Sequence, residues 1–215
     1  MNNKLKIYYD AEFTGLHKDA QLISIGLVTE YGDWFYAEFN DYDPNVDEWI
    51  RDNVINNLIL KNDEGDIFNI NPYRKTISDD LYVKPYNYDI HGDSDTIKVE
   101  LLKWLKRISE FYSKQIQIYS DCYAYDWMLF NDLICDNGNA LNIPDYIYYI
   151  PMDLSTALQL KGIDPDITRE DFIGENIIDK IKTRIPFKHM GEKCKHNSLW
   201  DAIICKYCFE KIYKM

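Results

Sequence analysis

The chain has 215 residues, which is room for one sizeable domain and not comfortably enough for two. A formal charge of −12 excludes a broad basic surface of the kind that grips long duplex nucleic acid. A small phosphate site built on bound cations stays open, because such ions reverse the local field. Hydrophobic residues at 46% can fill a core, and no apolar run reaches the length of a membrane span. The N-terminus carries no secretory hydrophobic region, and five cysteines with no regular framework fit reduced thiols. The expected location is cytoplasmic.

Leu5, Ile7 and Tyr9 alternate with Lys4, Lys6 and Tyr8, so the chain opens on a strand that Thr14-Gly15 ends. Residues 20–30 read as a mostly buried strand, Tyr31-Gly32-Asp33 as a hairpin turn, and Trp34 to Phe39 as the return strand. Asp43-Pro44-Asn45 looks like a helix start, with Trp49, Ile50, Val54 and Leu58 at helical spacing. Residues 61–95 have no clean period and read as an insertion.

Asp93-Ser94-Asp95 can cap the next helix, whose buried stripe is Ile97, Leu101, Trp104, Leu105, Ile108 and Phe111. A fourth strand spans 115–119. The helix from about Ala124 to Cys135 turns Tyr125, Met128, Leu129 and Leu133 inward. A fifth strand covers 146–150, with Tyr146, Tyr148 and Tyr149 read as strand core, and a short helix follows near 154–160. Residues 161–195 are less regular, with a candidate helix around Ile177–Ile181, and the last helix starts near Asn197. The expectation is a single α/β domain over 1–215. It has a mixed five-stranded sheet, its first three strands a meander, flanked by helices.

In such a sheet, ligands gather at the carboxyl ends of the strands. Asp10 and Glu12 lie at such an end, and residues i and i+2 share a face about 6–7 Å apart. Two carboxylates held this way repel unless a cation lies between them, and oxygen ligands favour Mg²⁺ or Mn²⁺. Taken alone, the pair also fits a solvated acidic loop. Asp121 and Asp126 follow the fourth strand. Asp126 near a helix start fits either a ligand or dipole compensation, and Asp121 competes for the same role. His196 and Asp201 are five apart and point about 140° from each other on an ideal helix. They can share a site only if His196 precedes the helix and Asn197 or Ser198 caps it.

Together, Asp10-Ala11-Glu12 running into Thr14-Gly15-Leu16, Tyr125-Asp126, and His196 through Asp201-Ala202 resemble the motifs of the DEDDh group of 3′–5′ exonucleases. The group has a ribonuclease H-like fold. The Glu12–Leu16 run is similar to oligoribonucleases, and Tyr8 to about Val54 looks like small bacterial 3′–5′ exoribonucleases. The resemblance does not cover 61–95 or 161–190. It implies two Mg²⁺ or Mn²⁺ ions held by Asp10, Glu12, Asp126 and Asp201, and His196 as general base. It further implies contacts from Phe13, Thr14, Gly15 and Leu16 to the terminal nucleotide, with Tyr125 as a stacking surface. The implied reaction removes nucleoside 5′-monophosphates from the 3′ end of RNA, and related enzymes are often homodimers. The acidity favours short single strands over long ones.

A catalytically silent nucleic-acid or protein-interaction domain on the same fold is one rival outcome, and two others compete. One keeps the site and changes the target, to DNA 3′ ends or a small oligonucleotide. The other is a zinc-stabilised binding module on Cys194, His196, Cys205 and Cys208, although the last two sit in an apolar helical pattern where cysteine packs as a small hydrophobe.

Overall fold

A computed structural model describes residues 4–60, 87–135, 138–182 and 195–215. Six strands form one mixed sheet: β1 (Leu5–Phe13), β2 (Leu22–Thr29), β3 (Trp34–Phe39), β4 (Tyr88–Gly92), β5 (Ile116–Ser120) and β6 (Ile147–Asp153). Their order across the sheet is β4-β3-β2-β1-β5-β6. The β1–β2 and β2–β3 pairs are antiparallel, and β3–β4, β1–β5 and β5–β6 are parallel. The α/β class and the opening meander match the sequence expectation, but among the described residues the sheet has six strands rather than five.

The additional strand, β4, lies in the stretch read as an insertion, so residues 88–95 belong to the fold. Residues 61–86 of that stretch are outside the described residues. The sequence Tyr-Asp-Ile-His-Gly hides the strand because none of its residues is fully buried. It is an edge strand, and alternation is a weak signal there.

Both faces of the sheet are covered. On one lie α2 (Ser94–Tyr112) and α3 (Tyr123–Ile134), packed on Leu5, Ile7, Tyr9 and Ala11 of β1. On the other lie α4 (Leu154–Leu160), α5 (Arg169–Ile173), α6 (Glu175–Lys182) and α7 (Ser198–Lys214), packed around Tyr8, Tyr36 and Tyr119. Two-sided burial explains why Tyr8, on the polar phase of the alternation, is 1% exposed.

Caps set the helix ends. The Asp93 carboxylate accepts from Thr96 N at 2.7 Å to start α2, and Ser113 closes it with a left-handed φ of 52°. The expected stripe holds from Ile97 to Ile108, but Phe111 is exposed, as is Met128 on α3. The helix after β3 is α1 (Glu48–Asn53), capped by Asp47 rather than begun at Asp43, and it leaves Trp49 exposed. Tyr149, read as strand core, is 64% exposed because β6 is an edge strand. No helix among the described residues is long and apolar enough to cross a membrane.

Candidate active site

Strand register builds the site. Tyr8, Asp10 and Glu12 alternate with the core-facing Tyr9 and Ala11, so they point to the α7 side of the sheet. Across the β1–β2 ladder, Asp10 pairs with Gly26 and Glu12 with Ser24; on β3 the next positions are Tyr36 and Glu38. Helix α7 docks on this row. An ideal Cβ on Gly26 would lie 2.3 Å from the carbonyl of Ser198 and 2.4 Å from Leu199 Cα, so only glycine admits the helix. Beside it, the Ser24 and Ser198 hydroxyls are 3.0 Å apart. The first turn of α7 is thus laid directly over the cross-strand partners of Asp10 and Glu12.

The residues before α7 are held as tightly. Asn197 caps the helix, its Oδ1 accepting from Trp200 N at 3.3 Å, while its Nδ2 donates to Tyr36 Oη at 3.0 Å and Asn57 O at 3.3 Å. Tyr36 Oη in turn donates to the buried Glu38 at 2.6 Å. Asn57 Nδ2 returns a bond of 2.7 Å to Lys195 O. These bonds keep His196 in a left-handed conformation, φ 58°, which costs a non-glycine residue about 1–3 kcal/mol. The Trp49 ring meets the imidazole edge-on, with centroids 5.0 Å apart.

This backbone bend resolves the five-residue spacing. Carboxylate oxygens of Glu12 and Asp201 and a ring nitrogen of His196 all lie within 4.8 Å of one another. Asp10 and Asp126 fall outside that trio but close enough to repel it. Burial pushes the Asp10 carboxyl well above its ordinary range, and Asp126, Asp201, Glu12 and Asp121 add to the shift. Burial raises Glu12 to about 8. Asp126 is raised by burial and then by Asp121, opposed by the backbone N–H groups of Cys122 and Ala11. Asp201 is raised by burial, Glu12 and Glu170, opposed by the His196 N–H. Burial, followed by Lys195, lowers His196, so the imidazole is neutral near pH 7.

Asp121 and Asp126 separate here. Asp121 is paired with Arg169 at 2.7 Å, whereas Asp126 is 2% exposed and its Oδ2 has no hydrogen-bond partner among the described residues. At the mouth, the Phe13 and Tyr125 rings stack with centroids 5.8 Å apart, and Tyr125 Oη donates to Leu16 O at 3.4 Å. Thr14 and Gln21 exchange bonds of 2.9 and 3.0 Å that close the turn, and Leu16 is 71% exposed. So Phe13, Thr14, Leu16 and Tyr125 form one rim, with Gly15 inside its turn. One face of Tyr125 is already taken by Phe13.

Of the cysteine set, Cys205 and Cys208 are buried in the α7 core, and burial raises both thiols, Cys208 to about 12. Zinc binds thiolate, which this burial disfavours. Cys194 is outside the described residues.

Sequence reasoning missed Gly26, Asn57, Glu38 and Arg169. Gly26 did carry a signal, a glycine inside an apolar strand, which marks close backbone approach. No protein-family model matches the chain, and no curated protein matches it.

Proposed function

We propose that the chain is a metal-dependent 3′–5′ exonuclease that acts on short single-stranded RNA and releases nucleoside 5′-monophosphates, its sheet being of the ribonuclease H-like kind. The observation that carries the proposal is the meeting of Glu12, from the first strand, with His196 and Asp201, from the end of the chain, within 4.8 Å. Asp10 and Asp126 stand beside them. Nothing about folding alone favours five titratable groups in one cleft, since each acid is destabilised in its ionised form.

The donor set suits Mg²⁺ or Mn²⁺. It is oxygen-rich, and it includes a buried carboxylate oxygen, Asp126 Oδ2, with no partner among the described residues. Asp10, Glu12, Asp126 and Asp201 are the residues that would hold two such ions. When bound, the ions supply positive charge that neutralises the scissile phosphate, acidifies the attacking water and stabilises the leaving 3′-oxygen.

The chain's own groups do the rest. His196 is neutral and takes the water's proton on a ring nitrogen; Trp49 limits where the ring can turn. The Asn57–Asn197–Tyr36–Glu38 chain of hydrogen bonds fixes the backbone that carries the imidazole. The Phe13–Leu16 rim, with Tyr125, is where the 3′-terminal nucleotide rests. DNA 3′ ends and small oligonucleotides fit the same chemistry, so the substrate arms of the test matter.

The test is a time course on RNA and DNA labelled at either end, with Mn²⁺, Mg²⁺ or EDTA. The expected result is metal-dependent shortening of RNA from its 3′ end, faster on a dinucleotide than the acidic surface permits on a thirty-mer. Endonucleolytic fragments, loss from the 5′ end, or full activity in EDTA would each contradict the proposal.

A further inference from the structure

Asp121 and Asp126 both follow β5, and both carry a carboxyl to the rim that holds Asp10. Their surroundings are opposite. Arg169 grips Asp121 fork to fork, Nε to Oδ2 at 2.7 Å and Nη2 to Oδ1 at 2.7 Å. The remaining donors are also used. Nη1 reaches the carbonyls of Pro165 at 2.8 Å and Ile167 at 2.6 Å, and Nη2 reaches Ser155 Oγ at 3.1 Å. A guanidinium has five N–H donors, and here they meet five acceptors. A lysine ammonium, with three donors and no fork, cannot reproduce this. Asp126 Oδ2, buried a turn further along the chain, has no hydrogen-bond partner among the described residues.

We infer that Arg169 is a positioning residue that divides the two acids: it clamps Asp121 away from the cation site and leaves Asp126 as the open ligand. The inference rests on the metal-dependent reading above. Arg169 lies in the 161–190 stretch that the exonuclease resemblance does not reach, so its role comes from its contacts alone. The clamp also offsets a charge: paired, Asp121 and Arg169 are neutral as a unit, although the neighbouring acids still feel Asp121; unpaired, the remaining partner would act on bound ions at full strength. Ser155 at the start of α4 and the turn before α5 anchor the guanidinium, so the pair cannot swing toward Asp10 as a unit.

The consequence is a sign pattern that a purely structural ion pair does not give. Arg169→Gln frees a carboxylate near the ions. Mn²⁺ should then bind tighter, while turnover falls because the ion is drawn off register. Asp121→Asn leaves a bare guanidinium and should weaken Mn²⁺ binding. Each shift should be on the order of fivefold, the effect of one unit charge about 10 Å from a divalent ion in a wet cleft. The double variant Arg169→Gln/Asp121→Asn should return Mn²⁺ affinity and turnover to near the wild-type values.

The experiment is an equilibrium Mn²⁺ titration of the full chain, read by electron paramagnetic resonance, with circular dichroism to verify folding. Opposite shifts in the single variants and recovery in the double variant support the clamp. Weakened binding in both single variants overturns it. So does a double variant as weak as Asp121→Asn, which is the result expected if Asp121 were itself a ligand. Should Arg169→Gln fail to fold, Asp121→Asn against the double variant decides by the same recovery. A wild-type chain that binds no Mn²⁺ defeats the metal-dependent reading and the clamp together, whereas wild-type binding with no response in the variants defeats the clamp alone.

Discussion

Gly26→Ala is the perturbation that most sharply separates packing from chemistry. The added Cβ would meet the Ser198 carbonyl at 2.3 Å, where ordinary contact begins at 3.4 Å. The obstacle is backbone on both sides, so α7 must lift by about 1 Å. That helix carries Asp201 in its first turn and follows directly on His196. Asp10, by contrast, is on β1 and stays where it is. A misplacement of about 1 Å at a reacting centre costs on the order of 10²-fold in rate. Overpacking costs about 1–3 kcal/mol of stability, which lowers the melting temperature by several degrees in a chain of this size. The assay is the initial rate on a short 5′-labelled RNA with Mn²⁺, with thermal unfolding in EDTA alongside. Ser24→Ala is the comparison: it loses only the hydroxyl contact to Ser198, about 1 kcal/mol, and should keep its rate within a few-fold. A folded Gly26→Ala protein with wild-type rate and an unshifted melt would refute the docking argument.

Three further outcomes follow from the crowded acids. Asp10→Asn should abolish turnover yet raise the melting temperature of the metal-free protein at neutral pH, since it replaces a carboxyl whose ionised form is disfavoured by burial and then by Asp126, Asp201 and Glu12; a lower melt in EDTA would contradict this. The metal-free protein should lose stability as pH rises from about 4.5 toward 8. The folded state keeps the Glu12 proton across that window and the unfolded state does not, and Mn²⁺ should remove the dependence; melts at stepped pH with EDTA or Mn²⁺ read it directly. His196→Ala should lower turnover by about 10²–10⁴-fold while Mn²⁺ affinity changes little, measured on the same sample; comparable loss of both would make the imidazole a ligand rather than a base.

Alternation made the central strands legible, and the resemblance of the acidic motifs to those of the exonucleases marked out the candidate site. Asp10 and Glu12 could be placed at a strand end because an apolar alternation runs into Thr14-Gly15, and β1 ends at Phe13. The Asn197 cap was legible for the same local reason. What stayed hidden depends on tertiary partners. Tyr8 and Lys6 look alike in a period-2 pattern, and only the α7 layer buries the tyrosine. Spacing assigns Phe111 and Met128 to buried stripes, yet both side chains are exposed. β4 escaped because its residues are half-buried and follow an aperiodic stretch. Arg169 carries no local mark at all: its partner Asp121 is on another element, and only the fold brings them together. Neither the Arg169 pairing that sets Asp121 apart from Asp126 nor the contact at Gly26 can be read without that fold.

The most direct measurement is a crystal grown with Mn²⁺ and a nucleoside 5′-monophosphate, with metal positions taken from anomalous scattering. Two peaks about 3.5–4 Å apart, ligated by Asp10, Glu12, Asp126 and Asp201 with His196 facing the phosphate, are the expected result. Manganese lodged away from these acids, or ligated by Asp121 in place of Asp126, would contradict it.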